Sequence, residues 1–209
     1  MKTTLIYVHD PMCSWCWGFN DVYQQLLELL PEGIEVRRLL GGLAPDSAEP
    51  MPESMQAMLQ QTWHHIEEMI PGKRFNFDFW TQCLPRRSTY PACRAVIAAR
   101  EQGEQYDPIM TAAIQQAYYQ QARNPSDSET LIELAAENGL DAHRFASQLL
   151  DPKTHQQLLE EINAARSIGI NGFPSLMMVR DNEYYPVLSN YTDVNKILNQ
   201  INASMQAAR

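Results

Sequence analysis

The sequence predicts an α/β fold that contains a large all-helical insertion. Two observations lead to this prediction. Strand-like runs occur near the two ends of the chain, at residues 3–8 and 34–40 and again at 175–180 and 184–188. The stretch between them instead carries apolar side chains at helical spacing, in runs that are bounded by Pro, Gly or Asp.

The first forty residues predict a β-strand, an α-helix and a second β-strand. Residues 3–8 are mostly β-branched, aromatic or apolar and are followed by His9-Asp10-Pro11, which indicates a short buried strand and a turn. Apolar residues recur every three or four positions over residues 14–30, as in an amphipathic helix. Residues 34–40 then read as a second strand, so Cys13 lies at a strand-to-helix junction.

The middle of the chain, residues 50–150, is predicted to be a helical domain inserted into the α/β fold. Its first helix carries Trp63-His64-His65. We predict that Trp63 lies in the core and that the two His are exposed. The alternative is that all three residues face the functional site. The predicted helices cover residues 51–70, 91–100, 108–121, 128–138 and 141–150.

The last third of the sequence returns to an α/β pattern. An amphipathic helix over residues 154–168 leads into a strand at 175–180, and a turn at 181–183 joins this strand to another at 184–188. So short a turn predicts an antiparallel hairpin, and a helix over 191–208 closes the chain. The whole order predicts a thioredoxin-like domain, formed by residues 1–49 and 151–209, with the helical domain inserted.

Cys13 and Cys16 carry the predicted chemistry. Two cysteines three positions apart at the start of a helix lie on one face within reach of each other. The first lies where free backbone N–H groups and the helix dipole stabilise an anion, so we predict that Cys13 is the attacking thiolate and Cys16 the resolving thiol. Because the intervening Ser14-Trp15 adds no positive charge, we expect a moderately oxidising pair.

Other interpretations of the cysteines remain open at this stage. A Cys-x-x-Cys pair is also half of a tetrahedral zinc site, but structural zinc usually requires a second pair at similar spacing. Cys83 and Cys93 are ten residues apart with no His near them, so we predict no metal. We expect these two cysteines to be buried or spare thiols, and a regulatory disulfide between them is the alternative.

Four further residues are predicted to line the substrate site. Pro174 opens a strand after a long helix, where we expect a cis peptide bond that brings Phe173 and an exposed backbone edge beside Cys13. Trp15 is a candidate for the floor of a substrate groove. His9 ends the first strand close to the cysteines and is either a proton-exchanging group or a surface His.

Composition limits the partners of the protein. The formal net charge is −9 and no run of Lys or Arg exceeds two residues, which disfavours nucleic acid. No stretch approaches the roughly 20 apolar residues of a membrane span. The N-terminus lacks the apolar core and cleavage site of a secretion signal. If Met1 is the natural start, these features predict a cytoplasmic protein, monomeric or dimeric, that binds no membrane.

The segments around these residues resemble a known family. Asp10-Pro11-Met12-Cys13-Ser14-Trp15-Cys16-Trp17-Gly18-Phe19 is similar to the active-site segment of the DsbA-like family, and most similar to the cytoplasmic branch of FrnE-type dithiol oxidoreductases. Residues 169–175 resemble that family's cis-Pro loop, and residues 90–95 resemble a part of its helical domain. The resemblance implies a thioredoxin fold with a helical insertion, Cys13 and Cys16 as a redox pair, and a cis Pro174.

The expected function is therefore thiol–disulfide exchange on a protein, peptide or small-thiol disulfide, in the oxidase, reductase or isomerase direction. No cofactor is expected, with glutathione as an alternative co-substrate. Unlike periplasmic DsbA, the sequence shows no secretion signal and no His between its cysteines, so we do not expect a general oxidant of secreted proteins. One competing interpretation is a glutathione-dependent enzyme similar to 2-hydroxychromene-2-carboxylate isomerases or kappa-class glutathione transferases. The other is a non-catalytic module that senses redox state or binds a metal.

Overall fold

The computed structural model describes residues 3–206 of the chain. Its elements follow the predicted order of a βαβ unit, a run of helices, one more helix, a β-hairpin and a closing helix. In chain order they are β1 (Thr3–His9), α1 (Ser14–Leu29), β2 (Ile34–Leu40), α2 (Glu53–Met69), α3 (Phe79–Gln82), α4 (Tyr90–Arg100), α5 (Tyr106–Gln120), α6 (Ser128–Glu137), α7 (Ala142–Leu149), α8 (Pro152–Ser167), β3 (Ser175–Arg180), β4 (Glu183–Val187) and α9 (Val194–Gln206).

The described strands form one mixed sheet in the order β2-β1-β3-β4. β1 runs parallel to β2 and antiparallel to β3, and β3 and β4 form the predicted hairpin. In the register, His9 is opposite Leu40 on one side, while Val8 is opposite Ser175 on the other. The carboxyl ends of β1 and β2 and the amino end of β3 therefore meet at one edge of the sheet. This edge gathers the loops that carry Cys13, Gly41 and Pro174.

Helices cover both faces of the sheet because β1 is apolar on both sides. Leu5 and Tyr7 point to one face, where they pack with residues of α1 and α9 such as Phe19 and Ile197. Ile6 and Val8 point to the other face, where residues of α8 and the loop after it cover them. Successive strand residues alternate between faces, so a fully apolar strand requires a layer of helices on each side.

The helices from α2 to α7 share their core with the sheet-bearing part of the chain. The cluster around Trp63 includes Trp17 and Leu40 from the first forty residues and also Ile162 of α8. The predicted domain boundaries at residues 50 and 150 stay a prediction of chain organisation, since one apolar core extends across both. None of the helices within residues 3–206 is both long and apolar enough to cross a membrane.

Several predicted boundaries differ from the structure. The closing helix begins at Val194 and not at 191, because the side chain of Asn190 accepts hydrogen bonds from the backbone N–H groups of Thr192 and Asp193 and holds the chain in a turn. Residues 207–208 of that predicted helix, and Met1 and Lys2 of the N-terminal prediction, lie outside the described residues. The short helix α3 was missed, since four residues give no periodic signal.

Candidate functional site

The two cysteines occupy the start of α1. Cys13 is the N-cap residue, with extended backbone angles, and Ser14 is the first residue of the helix. Both thiols are free, and the side chain of Cys13 is 6% exposed while that of Cys16 is fully buried. The two thiols are close enough for Cys13 to raise the pKa of Cys16. The loop therefore brings the two sulfurs together in the dithiol form, with Cys13 the more accessible of the two.

The loop before β3 lies directly against Cys13. The peptide bond between Phe173 and Pro174 is cis, which confirms the prediction from the sequence. The Cys13 thiol donates to the carbonyl oxygen of Phe173 at an Sγ–O distance of 3.6 Å. This contact joins the amino end of α1 to the amino end of β3, across 160 positions of the sequence.

Gly41 holds Phe173 close to the sheet edge. A Cβ atom at Gly41 would lie 1.9 Å from Cε1 of the Phe173 ring, far inside van der Waals contact. The adjacent Gly42 has φ +61°, a left-handed conformation that suits glycine. Gly41 thus leaves room for the aromatic ring of Phe173 beside the loop that carries Cys13.

Asp10 is a buried acid beneath the cysteines that we did not predict as a site residue. Its carboxylate is fully buried and accepts hydrogen bonds from the backbone of Met12 at 2.8 Å and of Leu43 at 2.7 Å. The hydroxyl of Thr89 at 2.7 Å and the thiol of Cys93 at 3.4 Å donate to the same carboxylate. Burial raises the pKa of Asp10, and the hydrogen bonds from Leu43, Thr89 and Met12 oppose that shift.

Asp10 also acts on Cys16. Burial raises the pKa of the Cys16 thiol well above its usual value; the adjacent Cys13 and the charge of the Asp10 carboxylate raise it further, while a hydrogen bond from the Asp10 backbone opposes them. Cys16 is therefore held as a protonated thiol, and Asp10 is a carboxylate near enough to affect its ionisation. In the sequence, Asp10 before Pro11 is typical of a turn, and its burial depends on Leu43 and Thr89 from distant segments.

A cavity of about 270 Å³ opens in front of Cys13, and we call it the Cys13 cavity. It includes two of the predicted substrate residues, Trp15 and Phe173, whereas Pro174 and His9 are not among its lining residues. Sequence reasoning missed its two arginines. The cavity is lined by Met12, Cys13, Ser14, Trp15, Leu43, Met51, Leu59, Thr62, Arg86, Arg87, Thr89, Tyr118, Asn171, Gly172 and Phe173.

Trp15 and Trp63 connect helix α1 to its surroundings in different ways. Trp15 is partly buried and contacts the ring of Tyr191 edge-on at a centroid distance of 5.2 Å. Trp63 is fully buried, as predicted, and its indole N–H donates to the hydroxyl of Ser14 at 3.0 Å. His64 and His65 are exposed, which confirms that part of the prediction.

His9 is buried, so the surface interpretation of this residue is wrong. Its ring stacks on Tyr7 at a centroid distance of 4.9 Å, and Arg38 donates to its Nε2 at 3.1 Å. Arg38 in turn binds Asp107 at 2.5 Å. Since Nε2 accepts this hydrogen bond, the neutral ring carries its proton on Nδ1, which has no partner within residues 3–206. His9 thus contacts a buried ion pair instead of the Cys13 cavity.

His9 is expected to make the fold less stable in acid. Burial lowers its pKa well below the usual value, and the charges of Arg38 and Arg100 add to that effect. Below about pH 6.5 the unfolded chain takes up a proton here that the native state does not, so the free energy of unfolding falls as the pH falls. This linkage removes at most about 2 kcal/mol between pH 7 and pH 5, the full amount being lost when the native state takes up no proton at His9 over this interval.

Urea unfolding at pH 7 and pH 5 measures this effect. We expect His9→Gln to lose less stability than the wild type over this interval, by up to about 2 kcal/mol. His143→Gln, which makes the same change on the exposed surface of α7, is the control and should keep the wild-type pH dependence. Equal losses in wild type and His9→Gln would contradict the assignment.

The remaining cysteines, Cys83 and Cys93, bind other partners than the Cys13 and Cys16 thiols. Cys83 donates to the carbonyl oxygen of Ala122 at 3.0 Å, and Cys93 is buried against Asp10. Both are free thiols, so the structure does not contain the alternative Cys83–Cys93 disulfide. Within the part of the chain that the structure describes, no three His, Cys, Asp or Glu side chains are grouped as metal ligands.

Comparisons with known proteins agree with this architecture. A Nitrosomonas europaea protein, classed provisionally as a protein disulfide isomerase, is 27% identical over the full length of both chains, with a TM-score of 0.85. The cytosolic disulfide reductase DsbM of Pseudomonas aeruginosa is 24% identical, with a TM-score of 0.76 over 98% of this chain and 100% of that one. DsbM has also been solved with GSH, and that structure gives a TM-score of 0.73.

The sequence is also similar to a curated protein and matches a family model. The ClpXP adapter protein SpxH of Bacillus subtilis is 23% identical over 169 residues, which are 80% of this chain but only 55% of that protein's length. The model of the DSBA-like thioredoxin domain matches residues 4–202 of the chain. That match includes the described sheet, the helices from α1 to α8 and the Cys13–Cys16 loop, and the chain therefore belongs to the DSBA-like thioredoxin domain family.

Proposed function

We propose that this protein is a dithiol–disulfide oxidoreductase in which Cys13 is the nucleophile and Cys16 the resolving thiol. The observation that carries the proposal is the position of the Cys13 thiol, at the N-cap of α1, on the wall of a cavity and 3.6 Å from the Phe173 carbonyl. A disulfide that enters the cavity reaches this sulfur before it can reach the buried Cys16.

The reaction follows from the two thiols. In the reductive direction, the Cys13 thiolate attacks one sulfur of the substrate, breaks its S–S bond and releases the other sulfur as a thiolate. Cys16 then loses its proton and attacks the Cys13 sulfur of the mixed disulfide, which releases the second substrate thiolate. The two cysteines supply two electrons and end as a disulfide, and oxidation of a substrate dithiol is the reverse of these steps.

Asp10 is suited to receive the proton of Cys16. A buried thiol whose pKa is raised reacts slowly unless a nearby group accepts its proton. The Asp10 carboxylate is near Cys16 and has a raised pKa itself, which makes it a stronger base than an exposed carboxylate. In this proposal Asp10 is a positioning and proton-accepting residue for the resolving step.

The proposal also covers the disulfide substrates, the direction of electron transfer and the cellular location. The similarity to DsbM, a cytosolic disulfide reductase that was solved with GSH, supports a cytoplasmic protein that reduces or isomerises protein, peptide or small-thiol disulfides. Glutathione is then a co-substrate that resets the pair and is not a resident cofactor. The backbone edge beside Phe173 and the side chain of Trp15 are the groups that would contact a bound substrate.

Insulin reduction and the refolding of a scrambled disulfide substrate test the proposal. We expect the wild type to accelerate both reactions and Cys13→Ser to reduce turnover to the uncatalysed rate. Cys83→Ser makes the same change at a partly buried thiol outside the cavity and should keep wild-type activity. Turnover that survives in Cys13→Ser would contradict the mechanism, and the ratio of the two wild-type activities would separate a reductase from an isomerase.

A further inference from the structure

Two arginines on the wall of the Cys13 cavity differ in their surroundings. Arg86 forms an ion pair with Asp127 and also donates to the carbonyl oxygen of Ser126 at 2.9 Å. Its charge is therefore compensated, and its guanidinium group is held in place. Arg87 is half-buried beside it and lines the same cavity.

Arg87 carries an uncompensated charge. Among residues 3–206, no carboxylate forms an ion pair or hydrogen bond with its guanidinium group. Its charge instead acts on Tyr118, another residue of the cavity wall, where it opposes the rise in pKa that burial causes. The guanidinium group is thus a free cation next to a buried phenol, close to the space that the substrate would occupy.

The rest of the cavity favours an anion as well. The chain has 25 acidic residues and a net charge of −9, yet none of the described residues that line the Cys13 cavity is Asp or Glu. Its walls are mostly apolar, from Met12, Leu43, Met51, Leu59 and Phe173. A cation in a confined and largely apolar site binds a carboxylate more strongly than one on an open surface, because water screens the charge less.

We propose that Arg87 binds a carboxylate of the substrate, so that the preferred substrates are small or peptide disulfides that carry a carboxylate near the sulfur. The inference rests on the proposed function, since it concerns the same cavity and the same attack by Cys13. Arg87 takes no electron or proton in the exchange. It raises the occupancy of the cavity by anionic disulfides and orients their sulfur toward Cys13.

Three symmetric disulfides test this proposal in single-turnover experiments. The probes are 3,3′-dithiodipropionate, which is a dianion, bis(2-hydroxyethyl) disulfide, which is neutral, and cystamine, which is a dication. Fully reduced protein is mixed with an excess of each probe. Samples are quenched with acid at successive times, their remaining free thiols are alkylated, and the fraction of protein with a Cys13–Cys16 disulfide is measured by mass spectrometry. These fractions give the second-order rate constant for each probe. Because each reaction uses the two electrons of the cysteine pair, no added reductant is needed.

Arg87→Gln should lower the rate with the dianion by roughly tenfold, equivalent to about 1.4 kcal/mol, and change the rate with the neutral probe by less than about twofold. The rate with the dication should stay the same or rise. Arg87→Lys should restore most of the rate with the dianion. Arg37→Gln is the matched control, because it makes the same change in charge at an exposed arginine of β2 outside the cavity.

The outcomes separate the two proposals. Equal losses with all three probes would mean that Arg87 acts on the thiols or on the fold, and unchanged rates would mean that it does not contact substrate; either result overturns this inference alone. A wild type that reacts with none of the three disulfides would overturn the proposed function and this inference together. Thermal unfolding of Arg87→Gln and Arg37→Gln shows whether both variants keep the fold.

Discussion

Cys16→Ser is expected to stop the exchange reaction after its first step. Cys13 can still attack a disulfide, but the mixed disulfide then lacks the buried thiol that would resolve it. Multiple turnover should fall at least about a hundredfold, because an external thiol at millimolar concentration must replace an internal one of much higher effective concentration. Intact-mass spectrometry should find one substrate thiol bound per chain, and tryptic peptides should assign it to Cys13.

The control for this experiment also distinguishes the competing functions. Cys83→Ser should accumulate no mixed disulfide and turn over normally. A glutathione-dependent transferase or isomerase needs only one reactive group beside the bound thiol. If Cys16→Ser keeps wild-type turnover with glutathione present, the dithiol mechanism is wrong and that competing function is favoured. Cys13→Ser should form no adduct under either mechanism that uses this thiol.

The parts of the site that could be predicted from sequence are those that follow from local chain geometry. Cys13 and Cys16 were selected as candidates from one short segment, residues 10–19. There a predicted strand ends, a predicted helix begins and the two cysteines have Cys-x-x-Cys spacing. The cis bond before Pro174 was predicted from its position at the start of a strand. The overall α/β fold with helices between β2 and α8 was predicted from hydrophobic periodicity, and it is confirmed.

The parts that could not be predicted depend on which distant segments meet. Asp10 looks like a turn residue until Leu43 and Thr89 bury it, and nothing local distinguishes it from an exposed Asp. His9 lies at the end of a strand, but its environment is decided by Arg38 of the neighbouring strand. Arg86 differs from Arg87 because Asp127, 41 positions away, and the carbonyl of Ser126 bind its guanidinium group. Such contacts leave no periodic signal in the sequence.

Trp63 is one of the residues through which α2 contacts the start of α1. Its side chain is fully buried in a cluster of aromatic rings, in which it stacks on Phe75 at a centroid distance of 4.9 Å and meets Tyr118 edge-on at 5.6 Å. Its indole N–H donates to the hydroxyl of Ser14, the first residue of α1. Because Tyr118 and Ser14 also line the Cys13 cavity, the packing of this indole and the shape of the cavity are linked.

Trp63→Ala should therefore destabilise the fold strongly. Removing a buried indole leaves a void in a close-packed cluster and typically costs about 3–5 kcal/mol. It also leaves the Ser14 hydroxyl without its donor. Urea unfolding followed by circular dichroism at 222 nm measures the loss, since this signal does not depend on the deleted fluorophore. Disulfide exchange should slow as well, because Ser14 and Tyr118 lose a packing partner on the cavity wall.

Trp63→Phe separates packing from hydrogen bonding. A phenyl ring keeps most of the stacking on Phe75 and loses the hydrogen bond to Ser14, so the unfolding free energy should fall by clearly less than in Trp63→Ala, with about 1 kcal/mol due to that hydrogen bond. A loss below about 1 kcal/mol in Trp63→Ala would contradict a close-packed core at this position. If Trp63→Phe is as unstable as Trp63→Ala, the hydrogen bond to Ser14, and not the packing of the ring, stabilises the junction between α2 and α1.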